Sequence, residues 1–151
     1  MNKNKIAEYY STSFGLGYRT KFPGTLASFI TLFPVWMIKE KFSTDIILVI
    51  IITYAFFAFL SIKIVTDKNK KKDPQFIISD EHLGQAISLL FCEQKILDYL
   101  LAFLIFRFLD IKKPFPINYF DKINSPAGVL LDDVMAGIIT CSLFLVFYAI
   151  Y

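Results

Sequence analysis

Ile46-Ile-Leu-Val-Ile-Ile-Ile-Thr-Tyr-Ala-Phe-Phe-Ala-Phe-Leu-Ser-Ile62 runs for seventeen residues without a charge. That is close to the roughly 20 apolar residues a helix needs to cross a ~30 Å hydrocarbon core. Residues 134–151 form a second such stretch. A helix closes its backbone hydrogen bonds within itself, which is what an apolar solvent demands. Both stretches therefore read as transmembrane helices. Residues 26–38 and 97–109 are apolar but shorter, and at about 1.5 Å per residue they reach across only if flanking residues join them. Composition agrees, at 56% hydrophobic and 17% aromatic, with a mean hydropathy of +0.55, above ordinary soluble usage. The expected fold is all-α: a single domain over residues 1–151, built as a helical membrane bundle with about four to five apolar helices, some short or re-entrant.

The chain is punctuated accordingly. A polar N-terminal arm extends to about residue 22, with no apolar run resembling a removable signal peptide. Pro23 and Gly24 then break the chain, and Thr25 is placed to cap a helix reaching about residue 37. A polar turn over 39–45 leads into the second helix, to about residue 65, followed by a basic loop with Lys68, Lys70, Lys71 and Lys72. Residues 80–91 read as a short helix capped by Ser79 or Asp80. A Pro-containing segment over 113–126 precedes a last helix from about residue 131. With the N-terminus inside, every Lys and Arg except Lys39, Lys41 and Lys95 falls on the cytoplasmic side, as the positive-inside rule requires. The Lys68 to Lys72 run is then a topogenic loop against anionic headgroups. Cys92 and Cys141, both within or beside apolar segments, read as packing residues.

Acidic residues gather at the ends of apolar segments: Asp80 with Glu81, Asp110, and Asp132 with Asp133. All three clusters face the cytoplasm in this topology. Carboxylates beside hydrocarbon are costly unless paired or metal-bound. Asp80 and Asp132 lie where a helix N-cap is expected, so capping accounts for either one taken alone. Asp110 ends its helix, where a negative charge meets the unfavourable pole of the dipole and needs another partner. Arg107, three residues earlier, offers a structural ion pair, and metal or phosphate work is the preferred reading. Adjacent carboxylates repel, and a hard divalent cation relieves that, which points to Mg²⁺. Arg107, Lys112 and Lys113 supply cationic contacts suited to a phosphomonoester. His82, the only histidine, is open to acid–base chemistry or to a supporting hydrogen bond.

Four ordered motifs are similar to those of the phosphatidylglycerophosphatase A family, over about residues 13–137. Phe106-Arg107-Phe108-Leu109-Asp110-Ile111-Lys112-Lys113-Pro114-Phe115-Pro116-Ile117 resembles its F-R-x-x-D-x-x-K-P-x-P-I signature, continued by Phe120 and Asp121. Asp132-Asp133 with Ala136-Gly137 resembles its D-D-x-x-A-G element, Asp80-Glu81 with Gly84 its D-E-x-x-G element, and Pro23-Gly24-Thr25 its P-G-T element. The resemblance implies Mg²⁺-dependent hydrolysis of phosphatidylglycerophosphate to phosphatidylglycerol and phosphate, at the cytoplasmic face of a bacterial inner membrane. It makes Asp80, Glu81, Asp110, Asp132 and Asp133 candidate metal ligands or bases, and Arg107, Lys113 and Thr25 candidate phosphate contacts. The chain departs from the family at Arg19, Thr20 and Lys21, where a proline is usual, at Ala27, where glycine is frequent, and at His82, where an apolar or aromatic residue is common. The implied partner is a membrane phospholipid and not a nucleic acid. Oligomeric state is not encoded in residue types.

Water is the expected nucleophile. Neither cysteine is followed by the arginine a cysteine phosphatase needs, there is no D-x-D motif for an aspartyl-phosphate enzyme, and one histidine is too few for a histidine-based lipid phosphatase. The long aspartate motif of CDP-alcohol phosphotransferases is missing too. The rivals are a phosphatase acting on another lipid or soluble phosphomonoester, and a non-catalytic membrane protein whose acids cap helices.

Overall fold

The computed structural model describes residues 3–69 and 74–151, excluding the side chains of Lys68 and Asn69. The described residues form α-helices, one 3-10 turn and connecting loops, without a strand: α1 (Lys3–Ser11), α2 (Pro23–Lys39), α3 (Thr44–Asn69), α4 (Ser79–Ser88), α5 (Ile96–Lys112), α6 (Ile117–Asp121) and α7 (Pro126–Ile150). The all-α expectation holds. Two helices, α3 over Thr44–Asp67 and α7, are long and apolar enough to cross a membrane. Large apolar side chains stand exposed along them and along α5, among them Val49, Ile52, Leu104, Phe108, Val146 and Ile150.

Several boundaries differ from those expected, each for a local reason. The N-terminal arm contains α1, because Ala7 and Ser11 fall one turn apart on a buried face and Ala7 packs in a core with Ala58 and Ile62 of α3. Helix α2 begins at Pro23, whose fixed φ suits the first helical position. Thr25 therefore lies inside the first turn and is not its cap. Helix α4 begins at Ser79 after Ile78, with no side-chain cap bond, so neither Ser79 nor Asp80 caps it. The Pro-containing segment folds one short helix, α6. Helix α7 starts at Pro126, with the Ser125 side chain accepting the Gly128 N–H. Asp132 and Asp133 consequently sit about two turns inside α7, and the capping account of Asp132 is overturned. The loop lysines Lys70, Lys71 and Lys72 lie outside the described residues.

Helices α4 and α7 form the centre, with α2, α3 and α5 also against α4 and α3, α5 and α6 also against α7. Two glycines allow the central crossing. A β-carbon on Gly84 would lie 2.6 Å from the Asp133 carbonyl oxygen and 2.6 Å from the Phe106 ring, and one on Gly137 would lie 2.4 Å from the Gly84 carbonyl oxygen. The backbones are thus closer than any side chain permits. The far end of α4 is held by Lys39, whose ammonium donates to the carbonyls of Leu89, at 2.9 Å, and Cys92. A cation there meets the negative pole of α4. Cys92 and Cys141 are free and buried, as packing residues.

If the crossing is set by backbone contact, Gly137→Ala forces α4 and α7 apart. It is expected to cost about 1–3 kcal/mol, the range for overpacking a tight contact. Thermal melting in detergent micelles checks this, and an unchanged midpoint would contradict the crossing.

Candidate metal and phosphate site

The α4–α7 crossing brings together carboxylates far apart in sequence. Oxygens of Asp80, Glu81 and Asp133 lie within 4.8 Å of one another. Asp80 and Glu81 come from the first turn of α4, and Asp133 from the buried face of α7. Asp80 and Asp133 are buried, and the Oε2 atom of Glu81 is buried without a hydrogen-bond partner. Burial, and next the neighbouring Asp80 charge, raise the Glu81 carboxyl well above the usual carboxylate range, while Arg107 acts in the opposite sense. An all-oxygen, multiply acidic donor set with an unsatisfied buried oxygen fits a hard divalent cation.

Asp110, in the last turn of α5, lies close enough to Asp133 for their charges to interact and pairs with the Nη1 of Arg107. The ion pair anticipated from their spacing is therefore present, and it abuts the carboxylate cluster. It leaves the guanidinium capacity to spare, since the Arg107 Nε is buried without a partner. Gly24 completes this corner. A β-carbon there would lie 2.3 Å from the Glu81 Oε1 and 3.1 Å from the Arg107 Nη1, so the glycine lets the N-terminus of α2 rest on both. The first turn of a helix leaves its N–H groups unbonded within the helix, and those of Gly24 and Thr25 open beside the acids and arginine. The Thr25 hydroxyl has no hydrogen-bond partner among the described residues.

Asp132 and Lys113 belong to a neighbouring unit in which one ammonium holds two carboxylates. The Lys113 ammonium donates to the Asp121 carboxylate at 2.5 Å and to Asp132 at 2.6 Å. Burial disfavours the Lys113 charge, but these two bonds outweigh it and raise its pKa. The other oxygen of Asp132 accepts the Asp133 N–H at 3.1 Å. Asp132 is thus turned from the three-carboxylate cluster and braces the backbone of Asp133. Asp121, read in sequence only as a continuation of a motif, is the unforeseen third member. Gln85 was also unforeseen; it is buried one turn after Glu81, with its amide donating to Ser88 at 2.8 Å and its Oε1 without a partner. Its place one turn after Glu81 on the same helix is the one available signal for it.

His82 lies off the cluster. The Thr31 hydroxyl donates to the Ala27 carbonyl at 2.8 Å and so accepts from the Nδ1–H of His82 at 2.6 Å. His82 thereby makes a supporting bond between α4 and α2. Burial lowers its pKa to about 4, so the ring is neutral near pH 7. The unfolded chain, with an imidazole near its ordinary pKa of about 6.5, binds the proton more readily, and folded stability should fall as pH drops from about 7 to about 4. Thermal melting across that range is expected to be steeper in the parent chain than in His82→Gln, and equal slopes would contradict the neutral buried ring.

A family profile described as phosphatidylglycerophosphatase A matches residues 9–148. The chain is 29% identical over 136 residues to the Escherichia coli (strain K12) protein named phosphatidylglycerophosphatase A, covering 88% of this chain and 78% of that protein. It is 45% identical over 64 residues to the Haemophilus influenzae protein of the same name, covering 41% of this chain and 39% of that one. A Bacteroides thetaiotaomicron protein named putative phosphatidylinositol-3-phosphatase is 30% identical over 141 residues, covering 84% of each. No solved structure matches. With the profile spanning nearly all of α1 to α7, the chain belongs to the phosphatidylglycerophosphatase A family of enzymes.

Proposed function

We propose that this chain is a Mg²⁺-dependent lipid phosphatase that hydrolyses phosphatidylglycerophosphate to phosphatidylglycerol and inorganic phosphate at the cytoplasmic face of a bacterial inner membrane. The observation that carries the reading is the meeting of Asp80, Glu81 and Asp133 within 4.8 Å, beside an arginine with spare donors. The names of the Escherichia coli and Haemophilus influenzae relatives support the choice of substrate. Helices α3 and α7 are the spans, and α2 and α5, at seventeen residues each, complete a multi-pass bundle with help from flanking residues. The N-terminal ends of α2 and α4, the C-terminal end of α5 and the second turn of α7 come together at the carboxylates, which supports a single membrane face for all the acids. The positive-inside distribution makes that face cytoplasmic.

Asp80, Glu81 and Asp133 hold the cation, with Asp110 alongside. Bound there, Mg²⁺ supplies Lewis-acid neutralisation of the phosphate and makes water a better nucleophile near neutral pH. Arg107 grips the phosphate oxygens, its orientation fixed by Asp110. The free N–H groups at the start of α2 add neutral donors for the same anion. Asp110 and the ionised members of the cluster accept the proton from the attacking water. Lys113, neutralised by Asp121 and Asp132, holds Asp133 in place through the Asp132 bond to its backbone; it is a positioning residue here and not a first contact for phosphate.

A second reading has a specific observation behind it. The Bacteroides relative matches as much of the chain and is named for a 3-phosphoinositide, and the metal and arginine meet only the phosphate dianion common to both lipids. Phosphate release by purified protein in micelles separates the two. Release from phosphatidylglycerophosphate is expected to exceed that from phosphatidic acid and from phosphatidylinositol 3-phosphate, to vanish with EDTA, and to fall by about two orders of magnitude or more in Asp133→Asn. Faster release from the phosphoinositide would favour the second reading, and no release from folded protein would sink both.

A further inference from the structure

A cavity of about 410 Å³ lies between α2, α3 and α4, its lining including none of the clustered carboxylates. Its volume falls in the ~300–1,000 Å³ range of small-molecule sites. Ile30, Pro34 and Ile38 of α2 face Ile47, Ile50 and Tyr54 of α3 across it. Thr31 and His82 also reach it, with the Thr31 hydroxyl and the His82 Nδ1 bonded to each other. We propose that this groove holds one acyl chain of the lipid whose phosphate lies at Asp80, Glu81 and Asp133. The proposal rests on the lipid-phosphatase reading above and adds a subsite to it.

Three observations select a hydrocarbon chain. Depth is the first: Gly24 touches Glu81 and Thr31, on the same helix, touches His82. Seven residues at about 1.5 Å each put the groove some 10 Å along α2 from the acids, the direction in which a lipid's chains leave its headgroup. Access is the second. Ile50 is itself exposed, next to the exposed Val49 and Ile52, so the groove communicates with the apolar outer face of α3, where membrane lipid lies. The third is Phe14. Its φ of +60° follows +47° at Ser13, a left-handed conformation that bulky residues avoid. It lines the groove and yet is 84% exposed, so the turn after α1 holds an aromatic ring at the mouth, on the side of the carboxylates.

The test uses full-length protein in vesicles of phosphatidylethanolamine and phosphatidylglycerol with Mg²⁺ present, the probe's phosphate ester being replaced by a non-hydrolysable phosphonate to prevent turnover. The probe is phosphatidylglycerophosphate bearing a photoreactive diazirine on one acyl chain, with adducts mapped by mass spectrometry. Adducts are expected on residues 30–38 and 47–54, and to fall about tenfold in Ile50→Trp, as excluding roughly two methylene groups would produce. In micelles with Mg²⁺, the ratio of kcat/KM for long-chain over short-chain substrate should drop by a similar factor in that variant, chiefly through KM. Adducts spread over the outer faces of α5 and α7 would overturn the groove. So would an unchanged ratio. Phosphate release absent for both chain lengths would instead refute the phosphatase reading, with the adduct pattern still deciding where the chain lies.

Discussion

Backbone contact between α4 and α7 at Gly84 and Gly137 is the constraint on which the site depends. With no side chain between them, the first turn of α4 reaches Asp133, two turns inside α7. The same contact seats the Phe106 ring on Gly84, and Phe106 is fully buried. That fixes the rotation of α5, so Arg107 and Asp110, one and four residues on, turn toward the acids. Lys39 secures the opposite end of α4 through the Leu89 and Cys92 carbonyls. A ten-residue helix too short to span a membrane is thereby held at both ends.

Charge at this end of the bundle divides into two units with different requirements. Lys113, Asp121 and Asp132 satisfy one another, and little is gained there by adding an ion. Asp80, Glu81 and Asp133 share their region with one arginine already paired to Asp110. Buried carboxylates of like charge are costly at close range. On the proposed reading a divalent cation would offset that cost, and the phosphate of a substrate would then find the remaining donors of Arg107 and the start of α2. Asp132 joins the two units, bonding Lys113 with one oxygen and the Asp133 N–H with the other.

Much of this was legible in the residues. Uncharged runs gave the all-α class and the two long helices, because periodicity is not needed where a segment is apolar all round. The pairing of Arg107 with Asp110 follows from their spacing. Asp132 and Asp133 looked equivalent in sequence, and only their different partners separate them, Lys113 for Asp132 and the Asp80–Glu81 pair for Asp133. Capping misplaced three starts: Thr25, Asp80 and Asp132 have cap-like chemistry, but Pro23 and Pro126 set the true beginnings of α2 and α7 through backbone geometry. Helix α1 was missed since its buried face is only Ala7 and Ser11, too small for a hydropathy signal. Asp121 and Lys39 act through tertiary partners on which local sequence carries no information.

The central claim is that Asp80, Glu81 and Asp133 form a divalent cation site while Asp132 does not take part. Mn²⁺ titration of the purified protein, followed by electron paramagnetic resonance of the free ion and competed with Mg²⁺, tests it without any substrate. The account predicts saturable binding that Mg²⁺ displaces, lost in Asp133→Asn and kept within about threefold in Asp132→Asn, since an amide oxygen can still accept the Asp133 N–H. Equal loss in both variants, or binding untouched by Asp133→Asn, would contradict it.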